Sequence, residues 1–302
     1  MQTLTHSRLR SFRKCPRHHK LRYLDGWAPV QVSEALSFGR SLHLALESYW
    51  NNTPLPVLED ARAAEVMAAY QWPDRDDYDV LAVEKQIRFP LINPDTMKAS
   101  VTFEMASVLD LLLRRRSTGE TILIEHKTTG ADFSDDAADY WRRLAMDAQL
   151  SIYVVAAESA TWKVDRIIYD VIARPLMRPY KATPLEARKY TKAGALYANQ
   201  RGGDESPEDF RERLRADIAE RPERYYGRRE IARTESELLE GMRDVWQEAR
   251  AIRDAELAGR HPRNPDACHQ YSTCEFYEIC ALGVDPETSS LYVRKPIHEE
   301  LA

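Results

Sequence analysis

Asp110 lies in an apolar stretch, and fifteen residues further on Glu125 and Lys127 stand one residue apart. Those types at that spacing suit phosphodiester hydrolysis. The reaction calls for a divalent cation that polarises the phosphate and lowers the pKa of a water. Hard cations such as Mg²⁺ or Mn²⁺ take oxygen ligands, and two carboxylates with waters suffice. A positive side chain beside the scissile phosphate stabilises charge in the transition state. An acid on one strand of a hairpin and acid-x-lysine on the next supply all of this. Strand alternation puts Glu125 and Lys127 on one face. Taken alone, such a triplet is more often an ordinary charged strand end, so neighbouring signals must decide.

His43 falls four residues after Gly39 and four before Glu47, so on a helix the three share a face. A neutral His43 is then a candidate metal ligand. Gly39 permits close approach of a backbone or phosphate, and Glu47 reads as an orienting partner or a simple surface acid. Gln149 and Tyr153 form an i,i+4 pair on the helix after the lysine strand. Of four cysteines, Cys15 lies near the start, and Cys268, Cys274 and Cys280 cluster near the end. Structural disulfides are disfavoured in the cytosol, so clustered thiols indicate a metal or an iron–sulfur cluster. Zinc takes thiolates as readily, and spacing does not separate the two.

Net charge is −5, which by itself argues weakly against a nucleic-acid partner. The distribution argues the other way. Met1 to Leu24 holds seven Lys/Arg and no Asp or Glu. Within that arm Arg13, Lys14, Arg17 and Lys20 are candidate DNA-backbone contacts. Arg114-Arg115-Arg116 is a second basic run.

The elements that must position these residues are legible from periodicity. Residues 5–24 read as a short helix with Ser7 as a candidate cap. Phe38–Trp50 and about Val57–Tyr70 read as helices. Val80 to about Leu123 reads as strands, with a turn at Ser117–Glu120. Ile122-Leu123-Ile124 is a continuous apolar run, as expected of a strand buried on both faces. Trp141–Ala157 reads as one helix, Arg166–Ala173 as a strand, and residues 207–258 as mostly helical. The order predicts an α/β fold: a mixed central sheet flanked by helices over residues 1–175, and a helical region with the cysteine cluster over 176–302. With 43% hydrophobic and 30% charged residues, the composition is that of an ordinary globular protein. No apolar stretch approaches the roughly 18 residues of a membrane span. The N-terminus has no apolar signal core, so the expected location is the bacterial or phage-infected host cytoplasm.

In this order the motifs resemble the RecB-like branch of the PD-(D/E)XK nucleases, especially phage-encoded members and the CRISPR-adaptation exonucleases. The likeness runs from Ser7-Arg8-Leu9 and Cys15-Pro16 through Gly39 and His43, Asp110, Glu125-His126-Lys127-Thr128, and Gln149 and Tyr153. It ends at Cys268, Tyr271, Cys274, Phe276 and Ile279-Cys280. The resemblance implies a restriction-endonuclease-like core. It implies a Mg²⁺ or Mn²⁺ held by Asp110, Glu125 and His43, with Lys127, Gln149 and Tyr153 completing the catalytic set. It also implies a [4Fe–4S] cluster on Cys15, Cys268, Cys274 and Cys280 that ties the chain ends together, zinc being the alternative occupant.

The expected activity is metal-dependent hydrolysis of DNA, exonucleolytic and from single-stranded ends, in recombination, repair or phage DNA processing. A recombination or replication protein is a candidate partner. The rival reading is a non-catalytic DNA-binding or recombination subunit that keeps the fold. A zinc-stabilised interaction module is a third, and it leaves the acids and His43 without a role.

Overall fold

The computed structural model describes residues 1–135, 139–270 and 272–301. Tyr271 of the C-terminal motif lies outside the described residues. The chain begins with strand β1 (Gln2–Leu4), helix α1 (His6–Lys14) and helix α2 (Pro16–His19), continued by a π-helical turn over Lys20–Leu24. Strand β2 (Trp27–Pro29), helix α3 (Glu34–Trp50) and helix α4 (Ala61–Ala68) follow. Next come the long strands β3 (Tyr78–Ile92) and β4 (Ala99–Arg115), then β5 (Thr121–Thr129). Helices α5 (Asp139–Ala145) and α6 (Ala148–Ser159) lead to β6 (Arg166–Ala173). The remainder is α7 (Pro207–Glu220), β7 (Tyr226–Glu230), α8 (Glu235–Ala258), α9 (Tyr277–Leu282) and β8 (Tyr292–Arg294).

Six strands form one mixed sheet: β1-β4-β5-β6-β7 in order, with β3 also paired to β4. β4 pairs antiparallel with β3 along nearly its whole length. Its other edge is shared. β1 pairs parallel with Phe103–Met105, and β5 pairs antiparallel with Leu111–Arg114. Between those two partners the edge is open, and Asp110 stands at its end. β5 and β6 are parallel, with α5 and α6 in the crossover. This is the expected α/β architecture.

Packing explains the long elements. Leu112, Leu123, Leu150 and Ile152 are completely buried between the sheet and α6, each worth about 1.5–3 kcal/mol relative to exposure. Ile122 and Leu123 are buried as the apolar run predicts. On α3, Phe38, Leu42, Leu46 and Trp50 are buried at helical spacing.

Three local expectations give way. The cap of α1 is Thr5, whose side chain accepts the Arg8 N–H at 3.0 Å, not Ser7. Trp141–Ala157 is two helices rather than one, because Asp147 caps the second by accepting the Gln149 N–H at 2.9 Å. The stretch 207–258 is interrupted by β7, which pairs with β6 and joins the main sheet. A strand from the 176–302 region thus completes the sheet of the 1–175 region.

The chain ends are tied together. β2 pairs antiparallel with β8. Leu21, Trp27, Phe276 and Tyr292 form a small buried cluster beneath them. α1 is fixed to α8 by Arg8–Glu256 at 2.9 Å and Arg13–Glu248 at 2.6 Å. Among the described residues no helix is long and apolar enough to cross a membrane.

Candidate active site

The β4–β5 ladder stops at the pair Leu111↔Ile124. One step further stand Asp110 and Glu125. Here the Asp110 carboxylate, not a β4 carbonyl, accepts the next β5 N–H, from His126 at 2.9 Å. The strands therefore part where the two acids face each other. Asp110 and Glu125 are both buried.

Lys127 shares a face with Glu125 as strand alternation requires. Its Nζ donates to Glu125 Oε1 at 2.7 Å and to Gln149 Oε1 at 2.5 Å. Gln149 Nε2 donates to the Tyr153 hydroxyl at 2.7 Å. The i,i+4 pair on α6 is thus a strut behind the lysine. α6 is held in turn by Asp147, which His6 approaches to 3.3 Å.

From α3, His43 Nδ1 lies 2.9 Å from Glu84 Oε1 on β3. The ligand atoms of His43, Glu84 and Asp110 all lie within 4.8 Å of one another. Gly39, one turn earlier, lets α3 close onto β5: a Cβ there would sit 3.0 Å from Thr128 Oγ1. Its close neighbour is a side chain of the sheet. Glu47 lines the same cleft as His43 and Glu84.

Charge and burial oppose each other at this point. Burial foremost, then the negative charge of Asp110, pushes Glu125 up to about 7 despite Lys127. Burial depresses His43, but the bond to Glu84 and the charge of Asp110 outweigh it and raise the imidazole to about 9. Burial also works against the Lys127 ammonium, and Glu125 more than compensates. Glu125 Oε2 is buried with no hydrogen-bond partner in the structure. Such an atom costs about 1–3 kcal/mol or more if left bare. Carboxylate oxygens and one imidazole form a donor set suited to a divalent cation of the Mg²⁺/Mn²⁺ kind.

The sequence expectations thus converge on one place for His43, Asp110, Glu125, Lys127, Gln149 and Tyr153. Glu84 was not foreseen. The basic arm disperses. Arg13 is engaged by Glu248, and Lys20 by Asp25 at 2.6 Å. Lys14 lines the cysteine cavity, and Arg17 acts electrostatically on Cys280. Of these four, only Arg13 lines a cleft beside the acids, and other cations join it there. Arg40 lines an 830 Å³ cleft on the His43 side, and Arg10 and Arg143 line a 530 Å³ cleft on the Lys127 side. Thr128 borders both clefts.

All four cysteines are free thiols and line one small cavity of about 30 Å³ between α2 and the C-terminal segment. Cys15 Sγ accepts the Asn264 N–H at 3.3 Å. Burial raises Cys274 and Cys280 above the usual thiol range. Among the described residues no three of these sulfurs lie within 4.8 Å of one another.

A sequence profile of the PD-(D/E)XK nuclease superfamily matches residues 3–281. Similar solved structures include a phage-related exonuclease from Haemophilus somnus 129PT. It is 13% identical, with 85% of this chain and 96% of that chain covered and a TM-score of 0.35. No curated protein sequence matches.

Proposed function

The chain belongs to the PD-(D/E)XK nuclease superfamily, and on that premise we propose that it is a Mg²⁺- or Mn²⁺-dependent deoxyribonuclease acting on single-stranded DNA ends. The observation that carries the reading is the buried Glu125 Oε2, partnerless, beside Asp110, Lys127 and His43. A cation bound by Asp110, Glu125 and His43 would polarise a phosphate and supply a nucleophilic water at neutral pH. The side chains do the rest. The His126 N–H fixes the Asp110 carboxylate. Gln149 and Glu125 hold the Lys127 ammonium at the face where phosphate charge develops. Arg10 and Arg40, exposed in the flanking clefts, would hold backbone phosphates on either side. Action from an end, in recombination, repair or phage DNA processing, rests on the likeness of the motif series to phage-type and CRISPR-adaptation members.

The four cysteines fit a [4Fe–4S] cluster in the same reading. They converge from both chain ends, and Lys14 and Arg263 line their cavity, which offsets thiolate charge. Iron is chosen over zinc on the likeness of the motif series.

Incubation with end-labelled single- and double-stranded DNA tests the function. Mg²⁺ or Mn²⁺ should give progressive loss of label from single strands, abolished by EDTA. DNA left intact with every divalent metal would contradict the proposal.

A further inference from the structure

Helix α8 is tied to the rest of the chain by its charges. Its Glu256 meets Arg8 at 2.9 Å, its Glu248 meets Arg13 at 2.6 Å, and its Arg243 reaches Asp95 in the β3–β4 hairpin at 3.0 Å. Arg250 and Arg253 are different. Both are exposed, and neither engages a carboxylate among the described residues. They line a groove of about 390 Å³ between α8 and the start of β4. Leu91 and Phe103 are its buried apolar floor, and Trp246 is half-buried beside them. Val101 and Leu257, 93% and 71% exposed, stand on the rim.

The groove is preformed. Arg243 and Asp95 pin α8 before it, and Gln2 and Arg8 pin Glu256 at its far end. β1 pairs with β4 only from Phe103 onward, so Ala99–Thr102 has no strand on that edge. An added strand is still a poor occupant. The Ser100 hydroxyl already accepts the N–H groups of Thr102 and Phe103, at 3.2 and 3.0 Å. Recognition therefore falls to side chains.

Covering Val101, Leu257 and the face of Trp246 is favourable for an apolar side chain. Two unpaired guanidiniums beside them favour carboxylates, which they bind as a fork. Asp254, also in the lining, opposes this in part but leaves the rim net positive. A short slot with an apolar floor suits a peptide better than a run of phosphates. It is also remote from the acids: Phe103 is seven residues from Asp110, roughly 23 Å of strand.

We propose that this groove docks another protein through a short acidic segment that carries a large apolar side chain. The side chain enters between Trp246 and Phe103, and the carboxylates meet Arg250 and Arg253. A partner held there tethers the chain without covering the clefts around Asp110 and Lys127.

Fluorescence anisotropy of the full chain with a fluorescein-labelled peptide, Asp-Asp-Asp-Asp-Phe-Leu, tests it. The parent should bind, and less tightly as salt rises. Arg250→Ala combined with Arg253→Ala should weaken binding about tenfold. Val101→Asp should abolish it, and Asp254→Asn should strengthen it. These positions are exposed, so circular dichroism and DNA cleavage should be unchanged. A peptide with lysines in place of the aspartates should not bind. A parent that binds neither peptide, or both equally, overturns the proposal, as does parental affinity in the double-arginine variant. Displacement of the acidic peptide by single-stranded DNA would also overturn it, by making the groove a nucleic-acid surface.

Discussion

The carboxylate of Asp110 accepts the backbone N–H of His126 at 2.9 Å, in the place where a ladder bond would otherwise continue. Asp110 therefore serves structure and chemistry at once, and the two can be separated. Asn keeps an acceptor oxygen for that N–H but not the charge. Asp110→Asn should stay as stable as the parent while losing on the order of 10²–10³ in cleavage rate. Asp110→Ala should lose the same activity and also about 1–3 kcal/mol of stability, because the N–H is left unpaired. Thermal melts beside rate measurements check this. Equal melting of the two variants contradicts the structural half.

Arg10 and Arg40 in the clefts should carry DNA binding, rather than Arg13, which lines the same cleft as Arg10 but is ion-paired to Glu248. Arg10→Ala and Arg40→Ala should each flatten the log–log salt dependence of single-strand binding by about 0.7. Arg13→Ala should change it little, since Glu248 already occupies that guanidinium. Fluorescence anisotropy over a salt series decides. A flattened slope for Arg13→Ala and unchanged slopes for the other two would move DNA binding to Arg13 and contradict this assignment.

His19 is buried against Arg8, whose Nε lies 3.1 Å from its Nε2. Burial first, and then the Arg8 charge, hold the imidazole down at about 3. A free histidine titrates near 6.5. With the folded value depressed, the contribution to stability is complete above about pH 6.5. It is lost progressively as pH falls from there toward about 3. The parent should lose urea resistance between about pH 7 and pH 5 more steeply than His19→Gln. Identical slopes for the two proteins would show that His19 is not the group responsible.

Protein purified without oxygen should be brown and carry about four irons per chain. Cys15→Ala should bleach it and lower the melting temperature, since that thiol is the N-terminal anchor of the staple. Iron analysis and the visible spectrum check it. Colourless protein with one zinc per chain would replace the cluster but keep the staple. Stable protein without metal would remove both.

The sequence made this site partly legible, for reasons that differ residue by residue. Glu125, Lys127, His43 and Gln149 were readable because each lies on a regular element whose period sets its neighbours. Glu84 was not, because its place depends on an irregularity in the β3–β4 hairpin. Counting back from the turn-proximal pair Ile92↔Ala99 puts Leu81 opposite Asp110. The register shift between Pro90 and Ile92 moves that position to Glu84. β7 was missed because Tyr-Gly-Arg-Arg-Glu has no apolar alternation. It is a strand because β6 offers an edge, and Arg228 is anchored there by Asp170 at 2.8 Å. Within the basic arm the pairing of Arg13 to α8 was not legible, because it is a tertiary fact. No local pattern announces that Glu248 will meet Arg13.

The central claim is that Asp110, Glu125 and Lys127 form one hydrolytic centre. Single-turnover cleavage of end-labelled single-stranded DNA by purified Glu125→Ala, with saturating Mg²⁺ or Mn²⁺, tests it most directly. The account predicts a rate at least about 10²-fold below the parent, with the variant still folded by circular dichroism. Near-parental cleavage by folded Glu125→Ala would contradict it.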